Sequence, residues 1–379
     1  MWRPVGPVLV GLLVACTSPS PAPSSSVSTG SPTAAASPST GIPIESPWRL
    51  SGTIDQQFTT PALDFRSTGT YLVWSSGARA DPSADVAPDL FGSEPGGAVS
   101  LLYDNPNRDS RLELVGGEGE RIIFVEFNAR VFGLGRSKMW YIASPAAAPV
   151  VIYEGGEVLP FFDVSGAQLV WTAAAGDPVE SQLWLLDLET MQRRLLLSAD
   201  AARTQYWFPS IDGHFVVYGT VELAPDGLSD QRHVYLLDVE GDSPPRQLDE
   251  SKSASEPDIR GDTVVWKESS PQENFLVGGR LVQYSLSAGA LVPLTLDPSG
   301  PRYTDPHIGN RFVTAWSDND RALYLAALGT DPPLKILDLG RTGEDPHDAV
   351  VRPDLVGDLL AYVFGPANGD LELKWIVLR

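Results

Sequence analysis

One pattern recurs along most of the chain and limits the folds open to it. The pattern is a glycine, two variable residues, two apolar residues and an aromatic residue. Its copies occupy residues 69–74, 119–124, 166–171, 213–218, 261–266, 310–315 and 357–362. The copies start 47 to 50 residues apart, and the sixth has Asn310 instead of glycine and its aromatic residue, Trp316, one position late. Because asparagine is the usual substitute for glycine in left-handed backbone, we expect Asn310 to occupy the same kind of turn.

Each copy belongs to a unit of about four short strands. A second apolar run follows the pattern, as at residues 183–188 and 234–239, and a shorter third run follows that, as at 194–197. In the last four units, a proline four residues before the turn residue indicates a further strand ahead of the pattern. The runs are apolar almost without alternation, which is typical of strands buried on both faces.

Four-stranded units of this length are typical of β-propeller blades. Residues 48–379 are enough for seven such units. The predicted fold is therefore all-β, a single seven-bladed propeller, with six blades as the alternative. The last unit ends after its third strand, so we expect residues 48–51 to supply the missing strand and to close the ring, which would remove two exposed sheet edges.

Two units, residues 256–266 and 352–362, resemble the repeats of TolB-like propellers. The resemblance covers residues 48–379 at the level of the repeat, and it implies a propeller fold and a binding role in the bacterial envelope. The chain departs from the TolB repeat because it lacks the Ser-Pro-Asp-Gly turn, and TolB itself resembles a six-bladed ring. The partners of TolB are therefore not implied.

The first 16 residues have the features of an export signal. Arg3 precedes an apolar run over residues 5–15, which is too short to span a bilayer. The run leads to Cys16, the one cysteine of the chain, and residues 13–16 resemble the bacterial lipobox. That resemblance implies that a lipid modifies Cys16 and anchors the mature protein; an ordinary signal peptide with a chance cysteine is the alternative. A single cysteine also excludes an intramolecular disulfide.

A tether is predicted between this signal and the repeats. Residues 17–47 are almost all Ser, Pro, Thr, Ala and Gly. Such a segment cannot bury enough apolar area to offset the entropy of ordering, so we expect it to be disordered. The expected location of the protein is extracytoplasmic, lipid-anchored to the cell membrane, at the outer surface or in the periplasm.

The net charge and the absence of two catalytic motifs exclude some classes of function. The formal net charge is −21, so the surface repels phosphate backbones and nucleic acid is not an expected partner. The sequence has neither the Gly-x-Ser-x-Gly elbow of α/β-hydrolases nor the His-Glu-x-x-His motif of zinc peptidases. We therefore predict no catalytic residues, no cofactor and a monomeric protein.

Polar residues beside the repeat prolines form the candidate ligand site. The first strand of each propeller blade lines the central channel, so neighbouring blades would bring these side chains to one mouth. The set is Glu256, Asp258, Asp305, His307, Arg352 and Asp354. Such a cluster would suit a cation, a basic side chain or a sugar; the alternative is that these residues are polar only because water fills the channel. Closely spaced carboxylates also shift each other's pKa, which an acid/base mechanism would use.

Three further features have competing interpretations. Asp318 and Asp320 are weak candidates for metal ligands, in a calcium loop, and a plain polar turn is the simpler interpretation. His214 and His233 lie within strand patterns and are interpreted as structural. Segment 78–98 is predicted to be a disordered insertion or a contact for a partner.

These observations favour a membrane-anchored extracytoplasmic lipoprotein whose propeller binds a protein or glycan partner without catalysis. Contact with the membrane is expected through the N-terminal lipid. The alternative is an extracellular hydrolase or lyase acting at the channel mouth, with Asp258, Asp305 and His307 as acid/base groups. A purely structural spacer is a third hypothesis.

Overall fold

The strands of this protein follow from the repeat, and a computed structural model shows how they assemble. The structure describes residues 48–58, 65–76, 89–107, 110–128, 137–155, 157–224, 230–269, 279–292, 303–317, 322–328, 335–338, 348–366 and 371–378. The signal, lipobox and tether predictions for residues 1–47 lie outside these ranges. Among the residues described, no helix has the length and apolar character needed to cross a bilayer.

Within the described ranges, twenty-eight strands form seven four-stranded antiparallel sheets, which are the blades of the propeller. Blades one and two contain β2 (Phe65–Ser67), β3 (Leu72–Ser76), β4 (Asp89–Ser93), β5 (Ser100–Tyr103), β6 (Ser110–Glu118), β7 (Arg121–Asn128), β8 (Ser137–Ile142) and β9 (Val150–Gly155). Blades three and four contain β10 (Glu157–Ser165), β11 (Gln168–Ala175), β12 (Glu180–Asp187), β13 (Gln192–Asp200), β14 (Thr204–Asp212), β15 (Phe215–Leu223), β16 (Asp230–Asp238) and β17 (Arg246–Gln247).

Blades five to seven complete the ring. Blades five and six contain β18 (Ala254–Arg260), β19 (Thr263–Glu268), β20 (Arg280–Ser285), β21 (Ala290–Val292), β22 (Tyr303–Ile308), β23 (Phe312–Ser317), β24 (Ala322–Ala327) and β25 (Lys335–Asp338). Blade seven contains β26 (Asp348–Val356), β27 (Leu359–Pro366), β28 (Leu371–Leu378) and β1 (Trp48–Phe58). The predicted all-β, seven-bladed propeller is confirmed, and the six-bladed alternative is wrong.

The inner strand of each blade packs against the inner strand of the next. Contacts run from β2 through β6, β10, β14, β18 and β22 to β26, and β26 contacts β2, so the seven inner strands form a closed ring. An inner strand precedes the turn residue in all seven units, including the three whose sequence lacks the marker proline.

The first and last strands of the described chain close the propeller. Strand β1 pairs antiparallel with β28, with Trp48 opposite Leu378 and Leu50 opposite Ile376. This confirms the prediction that residues 48–51 supply the outer strand of the last blade, although the strand continues to Phe58. Closure pairs the outer edge of β28, which would otherwise be exposed.

The aromatic residue of the repeat packs at the interfaces between blades. Trp74, Trp171 and Trp266 are fully buried. Trp171 stacks on Trp184 of its own blade with ring centroids 6.0 Å apart, and its edge meets Tyr153 of blade two at 5.7 Å. A large ring at this position therefore fills the space between two sheets, which explains why the pattern repeats it.

Two sequence expectations are wrong in detail. Segment 78–98 is not one insertion, because residues 89–93 form β4, where Phe91 pairs with Trp74; residues 77–88 lie outside the described ranges. Asn310 does not share the left-handed backbone of the turn glycines, such as Gly166 and Gly213, whose φ values are 56° and 58°. In blade six the neighbouring Gly309 meets blade seven so closely that a Cβ there would lie 2.2 Å from a backbone oxygen.

Candidate functional site

The inner strands carry a bulge at the residue before the proline. In blades four, five and six this residue is Phe208, Glu256 or Asp305, and its φ is 48°, 55° or 53°. The strand register shifts at the same place, for example between Ser255 and Asp258. Left-handed backbone is unfavourable for these residue types, so the ring of inner strands must hold it in place. We call this end of the channel, marked by the bulges, the proline mouth.

One residue of each inner strand, three positions before the turn residue, forms a belt around the channel. The belt consists of Arg66, Gly116, Asp163, Ser210, Asp258, His307 and Asp354. Several of its side chains accept the backbone N–H of the following blade. Asp163 accepts from Ile211 at 2.8 Å and Asp258 from Ile308 at 2.9 Å. These carboxylates therefore hold adjacent blades together.

Blades seven and two also contribute to the belt. Asp354 accepts the N–H of Ser67, which joins blade seven to blade one. In blade two the belt residue is Gly116, and a Cβ there would lie 2.6 Å from the ring of Phe162. Phe162 of blade three therefore occupies the space that a side chain of blade two would take.

Ser210 lies between two carboxylates. Its Oγ is 2.8 Å from Asp163 Oδ2 and 2.7 Å from Asp258 Oδ1. A hydroxyl has one proton and can donate to one of them, so the other contact requires a proton on the carboxyl group itself. Burial and the nearby charge of Asp258 raise the pKa of Asp163 to about 7. Asp163 is thus the acid that carries this proton.

His307 is surrounded by three carboxylates. Its Nδ1 lies 3.7 Å from Asp258 and 4.0 Å from Asp354, and its Nε2 lies 3.6 Å from Asp305. Burial alone would lower the pKa of His307, but these carboxylates raise it to about 10, so the ring is cationic at neutral pH. All three distances exceed hydrogen-bond length, and within the described part of the chain the buried Nε2 has no hydrogen-bond partner.

Glu256 ties blade five to blade six at the proline mouth. One of its oxygens accepts the N–H of Asp305 at 2.8 Å, and the other lies 2.5 Å from the ammonium group of Lys267. The Lys267 side chain is only 1% exposed. A buried ammonium group needs a carboxylate partner, so this ion pair belongs to the frame of the blades.

Aromatic rings from two blades stand beside these carboxylates. The ring centroids of Phe161 and Phe208 are 3.7 Å apart, and Trp207 lies 5.7 Å from the first and 6.1 Å from the second. All three are partly exposed. Phe161 and Phe208, together with Asp305 and the belt, line a cavity of about 150 Å³ inside the channel.

The other end of the channel, beside the turn glycines, is spanned by charged groups. Arg260 of blade five reaches Glu118 of blade two at 3.3 Å and Asp212 of blade four at 3.7 Å. Asp212 also accepts the N–H of Gly261 at 2.6 Å. We call this end the turn mouth; its charged groups pair with one another across the channel.

The structure brings together most of the predicted site residues. Glu256, Asp258, Asp305, His307 and Asp354 all line the cavity. Arg352 lies on β26, but its side chain is outside the described part of the structure. Asp318 and Asp320 also lie outside it, so the calcium hypothesis stays a prediction; among the described residues no group of three His, Cys, Asp or Glu side chains is arranged to hold a metal ion.

Several residues of the site were missed from the sequence. Arg66, Asp163, Ser210, Phe161 and Phe208 also line the cavity. The belt residues share one signal, their position three residues before the turn residue.

The two histidines interpreted as structural lie outside the cavity lining. His233 lies in the outer part of its blade, with its Nδ1 3.1 Å from buried Asp249. His214 contacts the ring of Phe215 at 4.1 Å.

Comparison with known proteins identifies the fold. No protein-family model matches the chain, and no curated protein matches its sequence. Among solved structures, the β-propeller domain of the trilobed protease from Pyrococcus furiosus matches with a TM-score of 0.60 and 13% identity, over 84% of this chain and 95% of that one. That propeller domain has an open velcro topology, whereas here β1 closes the ring.

Two enzymes are also similar in fold. An oligogalacturonate lyase in complex with manganese matches with a TM-score of 0.58 and 12% identity, over 88% of this chain and 97% of that one. Acylaminoacyl peptidase from Pyrococcus horikoshii matches with a TM-score of 0.60 and 12% identity, over 83% of this chain. This chain spans about half the length of that peptidase, 52%.

The TolB comparison is weaker in geometry. TolB from Acinetobacter baumannii matches with a TM-score of 0.45 and 10% identity, over 80% of each chain. The propeller fold that the TolB-like repeats implied is confirmed by the closer structures described above. By fold, this chain is a β-propeller protein of seven blades closed by its first described strand.

Proposed function

We propose that this chain is a membrane-anchored extracytoplasmic lipoprotein whose propeller binds a protein or glycan partner at the proline mouth. The observation that supports the binding role is that the carboxylates of the belt are hydrogen-bonded to neighbouring blades. Asp163, Asp258 and Asp354 accept backbone N–H groups of neighbouring blades, so they fix the shape of the cavity. A site built on such a frame is organised before the ligand arrives, which reduces the entropic cost of binding.

The anchoring part of the proposal is tested at Cys16. In the source organism, the full chain and the Cys16→Ser variant are compared for palmitate incorporation and for fractionation with the membrane. The parent is expected to incorporate the label and to sediment with membranes, while the variant loses both properties. Equal labelling and sedimentation of the two chains would contradict lipid anchoring at Cys16.

The binding part is tested by capture on immobilised full-length protein. Solubilised envelope and culture medium are passed over three columns: the parent, Phe208→Leu/Asp305→Asn, and the matched control Phe215→Leu/Asp358→Asn. The control makes the same chemical changes near the turn mouth. A partner at the proline mouth is retained by the parent and the control and is lost from the first variant. Equal retention on all three columns would place binding elsewhere.

A hydrolase or lyase at the same mouth is the second candidate, and one observation favours it. Asp163 shares a proton with Ser210 and Asp258, and its pKa of about 7 suits acid/base work near neutral pH. His307, with a pKa near 10, stays protonated and does not suit the role of base. The acid/base pair would then be Asp163 and Asp258. An Asp163→Asn protein that binds its partner and no longer converts it would support this candidate.

A further inference from the structure

The lining of the cavity changes from the proline mouth inwards. The Asp305 side chain is 34% exposed, His307 is 20% exposed and Asp354 is 5% exposed. A ligand entering from this mouth therefore meets Asp305 and the two phenylalanine rings first, then His307. Asp354 lies deeper and is engaged with the next blade.

One buried donor at this position has no hydrogen-bond partner among the described residues. The Nε2 atom of His307 is buried without a hydrogen bond, and the nearest carboxylate oxygen, on Asp305, is 3.6 Å away. A buried donor left unsatisfied is costly. Nε2 has essentially no accessible surface, so the group open to a ligand is the neighbouring Asp305 carboxylate, whose side chain is 34% exposed and can accept from a hydroxyl. The mouth thus offers an acceptor for a hydroxyl group, held in place beside the imidazolium.

The aromatic rings provide an apolar contact surface for the proposed ligand. Phe161 and Phe208 are partly exposed at the channel mouth, although phenylalanine has no polar atom that needs water. Phe208 also keeps a left-handed φ of 48°, a strained conformation for an aromatic residue. Its ring packs 3.7 Å from Phe161, so the two blades present one apolar surface beside the His307–Asp305 pair.

Cavity size and charge limit the ligand. A cavity on the order of 150 Å³ accepts one six-membered ring about the size of benzene. The cationic groups of His307 and Arg66 line the cavity and oppose a cationic ligand, while the carboxylates of Asp258, Asp305 and Asp354 oppose an anionic one. A neutral ring with hydroxyl groups and an apolar face satisfies all of these conditions.

We infer that the proline mouth binds a single neutral sugar ring, stacked on Phe161 and Phe208, with one hydroxyl donating to Asp305. The inference rests on the proposed function, since it names the chemical class of the partner bound at that mouth. The ring is supplied by a free monosaccharide or by one residue of a longer neutral glycan.

The test uses full-length protein in detergent and neutral methyl glycosides of glucose, galactose, mannose and N-acetylglucosamine, together with the matching disaccharides. Galacturonate and methylguanidine are the charged comparison ligands. Saturation-transfer NMR reports which ligand protons touch the protein, and the change in tryptophan fluorescence, to which nearby Trp207 contributes, gives the affinity. The expected result is transfer to the ring C–H protons of at least one neutral sugar. Stronger binding of a disaccharide than of its monosaccharide would identify a glycan as the source.

Two variants locate the binding. Phe208→Leu is expected to lower the affinity for the neutral sugar about tenfold, the equivalent of 1.4 kcal/mol, and Phe161→Leu is a second variant should the first fold poorly. Phe215→Leu, at the other end of the same blade, is the matched control and is expected to leave the affinity unchanged. Circular dichroism and thermal unfolding verify the fold of each variant.

The remaining outcomes are decisive against the inference. Binding of methylguanidine or galacturonate in preference to every neutral sugar would overturn it and leave the proposed binding role standing. The same holds if no sugar binds and the capture columns still retain a protein through Phe208 and Asp305. Equal sugar affinity in Phe208→Leu, Phe161→Leu and Phe215→Leu would move the sugar site away from this mouth. Failure of both the sugars and the capture experiment would overturn the proposed function as well.

Discussion

The two ends of the channel are built from the same repeat but do different work. At the turn mouth, Arg260 spans the opening and pairs with Glu118 and Asp212. At the proline mouth, the bulged residues place Phe208 and Asp305 around the cavity. At one end the charged groups pair with one another across the opening, and at the other end an exposed carboxylate and apolar rings line the cavity. The difference favours the proline mouth as the entrance for the proposed ligand.

The largest expected effect comes from the buried ion pair that supports the proline mouth. Glu256→Gln withdraws the carboxylate from Lys267, whose side chain is 1% exposed, so the folded protein would hold a buried ammonium group without this counter-charge. We expect the free energy of unfolding in urea to fall by about 3 kcal/mol. Adding Lys267→Met should recover much of the loss.

The matched control for this change is Glu268→Gln in the adjacent strand. Glu268 pairs at 2.6 Å with Arg280, whose side chain is 70% exposed and can be rehydrated. The expected loss is below about 1 kcal/mol. Similar losses in the two variants would show that the Glu256–Lys267 pair is not a buried support.

An intermediate effect is expected from the belt that joins the two mouths, and it depends on pH. The pKa of Asp163 in the folded protein is about 7, against 3.8 in an unfolded chain, so the folded state binds more protons between these values. Stability from this group is therefore lost as pH rises from about 4 to 7. His307, with a folded pKa of about 10 against 6.5, extends the decline through that higher range.

The pH prediction is checked by urea unfolding across both windows in the parent and in Asp163→Asn. The amide keeps a donor for Ser210 and removes the titrating proton, but its Nδ2 cannot accept the N–H of Ile211. The variant is therefore expected to be less stable, and the slopes of the two profiles are compared. The variant should show a shallower decline between about pH 4 and 7, where burial also raises the pKa values of Asp354 and Asp249, and should keep the decline above it, which belongs to His307. An unchanged profile in Asp163→Asn would mean that Asp163 does not hold the shared proton.

The sequence was enough to predict the blades and the closure of the ring. The glycine turn, the apolar strand and the buried aromatic residue are local features that lie within a few residues of one another. Trp171 in blade three and Trp266 in blade five are examples of the aromatic residue. Closure by residues 48–51 followed because one outer strand was missing from the last unit. Blade one was harder to recognise, because its third strand, Asp89–Ser93, contains glycine and serine instead of a continuous apolar run.

The candidate site was only partly predictable, because its contacts join residues one blade apart. Asp163, Ser210 and Asp258 are separated by a full repeat, and only the closed ring brings their oxygens within hydrogen-bond distance. The prolines mark Glu256 and Asp305 in the sequence. Blade three has no proline at that position, so no sequence pattern indicates Phe161 and Asp163. The Arg260–Glu118 contact, 142 residues apart, had no sequence signal at all.

The smallest loss in the free energy of unfolding is expected at the turn mouth, and its size tests whether the two ends of the channel differ. The side chains of Arg260 and Glu118 are 28% and 23% exposed, so water replaces much of their interaction when it is broken. Arg260→Met should lower the free energy of unfolding by less than about 1 kcal/mol, and high salt should remove much of this difference. Arg311→Met, which breaks the more exposed 3.8 Å pair with Asp358, is the control. A loss as large as that of Glu256→Gln would mean that both mouths are structural supports, and the proline mouth would lose its distinction as the entrance.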